Sequence, residues 1–337
     1  MSYYSVGDMA QVYSLRKHNT GLKNLVTTLS QEATTGLKSD VGKAVGGDFT
    51  QLSAITRSLD NLESYSLATT EVSLTAEMMQ NALGTIQDYA INFGPDMISI
   101  GSSGDPTSLE TLSTKAKTSL STIVSALNSS VAGRFVFSGA ATNTPPVVDA
   151  DEMYSQVMTA VGGDTTSAGI IAAVEAFFDA PAGGGGYLDQ SYQGSRDPLG
   201  AVKVSENESI QLEVTAQSSE IRESLKGAML ARIAANDDGT LSDETRSALM
   251  VEAGSVLSAA SLEMSASRSS IGAAEEQIES AATRNDAESS SLEIARNNLI
   301  TAEPYETSTA LIAAQNQLET LYEITSRLSQ LTLADYI

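Results

Sequence analysis

The chain has 337 residues, with 42 Asp and Glu against 19 Lys and Arg, a net charge of −23, one His, and no Cys or Trp. That charge balance repels nucleic acid and offers no basic patch to an anionic membrane surface, and without Cys there are no disulfides and no thiolate metal sites. The length can bury a substantial core in two or three domains. No apolar run approaches the eighteen or so residues of a membrane span. The opening MSYYSVGDMAQVYSLRKH lacks a basic-then-apolar leader, so export through a cleaved signal peptide is not expected.

Aromatic residues make up only 5%, which favours long helices with thin seams over a bulky core. From Val12 the pattern Val12, Leu15, Asn19, Leu22, Val26, Leu29 and Ala33 alternates steps of three and four. It predicts a helix with a coiled-coil seam, one polar register pin at Asn19 and a C-cap at Gly36. After glycines at 42, 46 and 47, a second stripe runs from Leu52 through Ile55, Leu59, Leu62, Tyr65, Thr69, Val72, Ala76, Met79, Leu83, Ile86 and Ala90 to Phe93. At 1.5 Å per residue this helix is roughly 65–70 Å long. Asp105-Pro106 reads as an N-cap followed by proline in the first turn of a third helix carrying Leu109, Leu112, Ala116, Ile123 and Leu127.

Residues 134–213 read differently. Phe135 and Phe137 alternate as a short strand does, Met153–Val161 and Ile170–Phe178 read as brief helices, and Gly183–Gly186 reads as a flexible loop. Val202 and Val204, a polar turn and Ile210, Leu212 and Val214 predict a hairpin. Helices then return at Ile221–Ile233 and after the N-cap Ser242. The latter seam holds Leu257, Met264, Ile271, Ala274, Ile278, Ala281, Leu292, Ala295 and Leu299, with Pro304 as an expected kink. A last helix carries Leu311, Ala314, Leu318, Leu321 and Leu328.

The expected fold class is mainly α: long antiparallel helices in a coiled-coil or helical-bundle stalk, with a small mixed α/β insert. The expected segments are an N-terminal assembly helix (1–47), two stalk halves (48–133 and 214–300), the insert (134–213) and a C-terminal assembly helix (301–337). A narrow stripe cannot stabilise a lone helix in water, so Val12–Ala33 is expected to pair with Leu311–Leu328. The residues expected at this assembly interface are Val12, Leu15, Leu22, Val26, Leu29, Leu311, Leu318, Leu321, Leu328, Leu331 and Tyr336.

Catalytic chemistry is not evident. His18 stands beside Lys17 on a polar side of the first helix, and one His cannot build the usual zinc site. The glycines at 183–186 lack the Lys-Ser/Thr that completes a phosphate loop. Asp237-Asp238-Gly239 lacks the spaced ligands and closing Glu of a calcium loop. No enzyme activity, cofactor or metal is expected.

The stretch Ala33-Thr34-Thr35-Gly36-Leu37-Lys38, preceded by Leu25 and Leu29, resembles the N-terminal helix and turn of the flagellin superfamily. Tyr305-Glu306-Thr307 through Leu311, Gln315, Leu318, Leu321, Arg327 and Leu331 to Asp335-Tyr336-Ile337 is similar to its C-terminal helix. Within the superfamily the ending, together with Gly133-Arg134-Phe135-Val136-Phe137-Ser138-Gly139, Thr142-Asn143-Thr144-Pro145-Pro146 and Tyr192-Gln193-Gly194, resembles the hook–filament junction type, hook-associated protein 3. One departure is Ser39-Asp40-Val41-Gly42-Lys43-Ala44, which has one acidic residue where the superfamily usually has two. The resemblance implies an extracellular flagellar subunit in a homo-oligomeric ring, with a second hook-associated protein and flagellin as neighbours and an export chaperone. Filament flagellin is the nearest alternative; a cytoplasmic signalling coiled coil is a more distant one.

Overall fold

The structure, a computed structural model, describes residues 6–236 and 239–334. The acidic turn at Asp237-Asp238 and the closing Asp335-Tyr336-Ile337 lie outside the described residues. The protein is mainly α, as its periodicity predicts, with long packed helices and, among the described residues, only small antiparallel strand pairs. It divides into two compact units, one formed by residues up to 62 with those from 287 onward, the other by residues 63–286. Two long helices, α3 (Thr50–Ser103) and α9 (Asp243–Ile300), contribute to both.

In the 63–286 unit, α3 and α9 run antiparallel and join α4 (Pro106–Leu127) and α8 (Ser219–Ala234) in a bundle. Every α3 stripe position from Thr69 to Ala90 is buried. On α9, Leu257, Met264, Ile271 and Ile278 recur every seven residues and are buried too, so both faces keep the coiled-coil period. Polar and glycine positions sit between these apolar layers. The Gln80 amide donates to the Arg268 carbonyl (2.7 Å) and the Gln87 amide to the Ser261 carbonyl (2.9 Å). Seven residues further along α3, Gly94 lies against Gly254; a Cβ on Gly254 would fall 2.5 Å from the Gly94 carbonyl oxygen. Another seven residues on, a Cβ on Gly101 would fall 2.8 Å from the Ser247 carbonyl oxygen. Glycine is needed here because the two backbones approach closely.

Helix α3 ends ten residues beyond Phe93, where the apolar stripe read from the sequence stops, and it passes through Pro95. Met97, fully buried, keeps this added stretch in the core. At Asp105 the carboxylate accepts from the Ser108 amide (2.9 Å), and proline follows, as predicted.

The region 134–213 is built on the same core. A two-residue hairpin, β1 (Ser130–Val131) with β2 (Arg134–Phe135), opens it; α5 (Ala150–Val161) packs on α4, and α6 (Ser167–Asp179) packs on α8. A single turn of helix, α7 (Tyr187–Gln190), buries Tyr187 completely. Its ring stacks on Phe178 at 5.5 Å and its hydroxyl donates to the Ala216 carbonyl at 2.7 Å. The second hairpin pairs β3 (Val202–Lys203) with β4 (Ser209–Ile210).

The glycine run at 183–186 is tethered where sequence suggested a flexible loop. Its Gly183 and Gly185 amides donate to the Asp189 carboxylate at 2.8 and 2.9 Å. Those backbone donors, with Arg196 at 3.1 Å adding less, hold the Asp189 carboxyl below the usual carboxylate range. A lowered folded value means the tether is complete at neutral pH and is lost as pH falls through that value. Asp189→Asn should therefore speed amide exchange at Gly183 and Gly185 at neutral pH and remove its acid dependence. Equal exchange in both proteins across pH would refute the tether.

The other unit holds α1 (Val6–Thr35), α2 (Val41–Ala44), α10 (Pro304–Ala334) and the adjoining ends of α3 and α9. Pro304 does not kink a continuous helix. Helix α9 stops at Ile300 and proline opens α10, where its missing N–H matters least.

Candidate functional site

The terminal helices α1 and α10 pack against each other. On α1 the partly covered apolar residues are Leu15, Leu22, Val26 and Leu29, with Asn19 among them. On α10, Leu311, Leu318 and Leu321 are half-buried, while Thr307 and Ala314 are buried. Both sets step by three and four, so the stripes on both helices form one seam. The Lys23 ammonium sits 5.7 Å from the centre of the Tyr322 ring, and Gly36 meets Ala302, so the helices run antiparallel.

Four of the eleven expected interface residues need comment. Val12 is about half exposed, at 48%, so the covered seam starts at Leu15. Leu328 and Leu331 lie on α10, but their side chains, and the whole of Tyr336, are outside the described residues. His18 is exposed.

The base of the pair is laced by backbone, which the periodicity gave no hint of. Gly36 takes a positive φ of 70°, ending α1 as expected of a glycine C-cap. The next residues then pair with the α9–α10 break. The Lys38 amide donates to the Ile300 carbonyl (2.8 Å), the Ala302 amide to the Gly36 carbonyl (2.9 Å), and Leu37 bridges Thr301. The Glu32 carboxylate accepts from the Ser39 amide at 2.8 Å. Beside this lace, Asp40 alone caps α2 by accepting from the Lys43 amide at 2.9 Å. One carboxylate is enough for that cap.

The pair leaves large apolar side chains uncovered. Tyr305 is 79% exposed, Tyr13 71% and Ile312 58%. At about 100° per residue, Tyr305 and Ile312 point away from the α10 seam, and Tyr13 points away from the α1 seam. The seven-residue spacing of Tyr305 and Ile312 was the available sequence signal for this second face.

Away from the termini, three motifs distant in sequence come together. The Ser195 amide donates to the Ser138 carbonyl (2.8 Å), the Ser138 hydroxyl to the Thr144 carbonyl (2.5 Å), and the Gln193 amide to the Pro146 carbonyl (2.8 Å). Thus 133–139, 142–146 and 192–195 form one hydrogen-bonded cluster. Among the described residues no group of three or more His, Cys, Asp or Glu side chains is placed to hold a metal ion, and no helix is long and apolar enough to cross a membrane.

Residues 255–337 match the bacterial flagellin C-terminal helical region. The match supports membership of the flagellin superfamily. No curated protein matches the chain. The flagellin-like segment takes in the buried α9 stripe from Leu257 to Ile278, the laced break at Thr301 and the whole described length of α10. The flagellin match therefore falls on the half of the terminal pair that carries Leu311, Leu318 and Leu321. Covering about a quarter of the chain, the match supports a structural role in the bacterial flagellum.

Proposed function

We propose that the protein is the extracellular subunit that joins hook to filament, assembling through its terminal helices. The observation that carries the assembly role is the two-faced terminal pair. One face of each helix is spent on the α1–α10 seam, and Tyr13, Tyr305 and Ile312 remain uncovered on the other. Two helices cannot bury two faces, so neighbouring subunits are needed to cover the second. Each large apolar side chain that a neighbour fully buries contributes roughly 1.5–3 kcal/mol, so covering Tyr13, Tyr305 and Ile312 favours docking of the pair against other subunits.

In this reading the partners are a second hook-associated protein on one side, flagellin on the other and further copies of the chain in a ring. A chaperone shields the apolar faces before export. The interface residues are Leu15, Leu22, Val26, Leu29, Leu311, Leu318 and Leu321; Leu328, Leu331 and Tyr336 are assigned to it by sequence alone, and Val12 stands outside the covered seam. The junction position, as opposed to the filament body, is supported by the resemblance of the 133–139, 142–146 and 192–194 segments.

Electron microscopy of flagella labelled against this protein tests the assignment. Label at a single point at the filament base is expected. Label along the whole filament would make the chain a filament flagellin, and flagella without label would overturn both readings.

A further inference from the structure

The net negative charge is unevenly placed. Residues 1–47 hold five Lys and Arg against three Asp and Glu, and the rest of the chain holds fourteen against thirty-nine. Arg16 and Lys17 are exposed on α1 and lie, at about 100° per residue, well away from the seam centred on Leu22. They follow Met9 and Tyr13, also exposed, so that face of α1 is first apolar and then cationic. Neither cation lies within salt-bridge distance of a carboxylate among the described residues.

The 63–286 unit carries the complement. Between α3 and α9 runs an open groove of about 530 Å³ whose lining includes Thr70, Ser73, Leu74, Glu77, Glu275 and Glu279. Leu74 is 49% exposed in it, and Leu67, seven residues earlier on the same face of α3, is 69% exposed. Glu71 on the same helix is paired with Arg134, yet Glu77, Glu275 and Glu279 have no Lys or Arg partner among the described residues. Three like charges along one groove repel each other, and a cation placed among them is attracted by all three.

We infer that this groove receives helix α1 of a second copy of the chain, with Met9 and Tyr13 against Leu67 and Leu74 and with Arg16 and Lys17 among Glu77, Glu275 and Glu279. The two patches are commensurate: Met9 to Lys17 and Leu67 to Glu77 each cover about 12–15 Å of helix. The apolar contacts supply adhesion, and the charges set direction and suppress the like-with-like pairing of two acidic surfaces. The contact is head-to-tail, so it propagates from copy to copy instead of closing a two-fold dimer. This inference rests on the chain being an assembling flagellar subunit, and it specifies which surface meets which.

A charge-swap experiment on the full-length protein tests it, at about 0.15 M salt, where repulsion beyond about 8 Å is screened. One variant carries Arg16→Glu and Lys17→Glu; the other carries Glu77→Lys, Glu275→Lys and Glu279→Lys. Circular dichroism first establishes that both retain wild-type helicity. By sedimentation velocity, each alone is expected to self-associate roughly tenfold more weakly than wild type, and an equimolar mixture to recover, because each altered patch then meets its opposite on the other variant. Carbodiimide treatment of mixed isotope-labelled and unlabelled wild-type chains should join Lys17 to Glu77, Glu275 or Glu279 across isotopes. Absence of such joins, joins confined to single chains, or no recovery in the mixture would overturn the inference. Labelled flagella without these joins would sink this contact alone; joins in a protein that never reaches the flagellum would sink the functional assignment alone.

Discussion

Leu318→Asp should open the α1–α10 pair while leaving residues 63–286 folded. Leu318 lies mid-seam, between the buried Ala314 and the half-buried Leu321. The change removes apolar contact worth roughly 1.5–3 kcal/mol when fully made and puts a charge where it must either desolvate or swing out. A helix pair with a narrow seam has little reserve against such a loss. Hydrogen exchange across residues 9–35 and 304–327 should then accelerate about 100-fold, the ratio corresponding to nearly 3 kcal/mol. Exchange in the buried stretches of α4 and α8 should not change, and incorporation into flagella should fail. Leu318→Met, which keeps the volume, should behave as wild type. Protection of α10 that survives Asp at 318 would show that the seam does not hold the pair.

Gly254→Val should have the largest effect on the 63–286 unit. The new Cβ would meet the Gly94 carbonyl oxygen at 2.5 Å and Ile98 Cγ1 at 2.8 Å, and the first of these is backbone that cannot rotate away. Separating α3 from α9 also disturbs the hydrogen bonds from Gln80 and Gln87, which depend on the same spacing. Overpacking of this kind costs about 1–3 kcal/mol and more where backbone must move. For a unit of this size about 3 kcal/mol lowers the melting temperature by roughly 6–12 °C. Gly272→Ala is the control: its Cβ would meet only the Gln80 amide nitrogen, at 3.7 Å, in ordinary contact. Calorimetry on the pair separates steric collision from loss of glycine as such, and equal melting temperatures would rule out close packing at 254.

The helices were legible because their signals are local and repeated. The stripes of α1, α3, α9 and α10, the caps at Asp105 and Ser242 and the stop at Gly36 all follow from spacing and side-chain chemistry within a few residues. Pairing of α1 with α10 also followed, since neither stripe is stable alone. What escaped notice has a common cause. The Gly94–Gly254 and Gly101–Ser247 approaches are made by residues that leave gaps in an apolar pattern, and their meaning appears only when the partner backbone is present. The lace between Gly36–Lys38 and Ile300–Ala302 is made by main-chain groups, to which side-chain periodicity is blind. The Asp189 tether was missed because four residues rich in glycine look alike whether or not a carboxylate binds their amides. Val12 fits the stripe by spacing, yet α1 turns it out of the covered seam.

The lace joins chain segments more than 260 residues apart, and this fixes an order of events. Bringing such distant segments together from an unfolded chain carries a large loop-closure entropy. Folding of residues 63–286 shortens the wait, because it brings Thr69 of α3 and Glu279 of α9 to opposite walls of one groove. The stretches still to be joined are then only the outer parts of the chain. The extremities are therefore expected to close last and reopen first, staying unzipped at both ends until the middle of the chain has set.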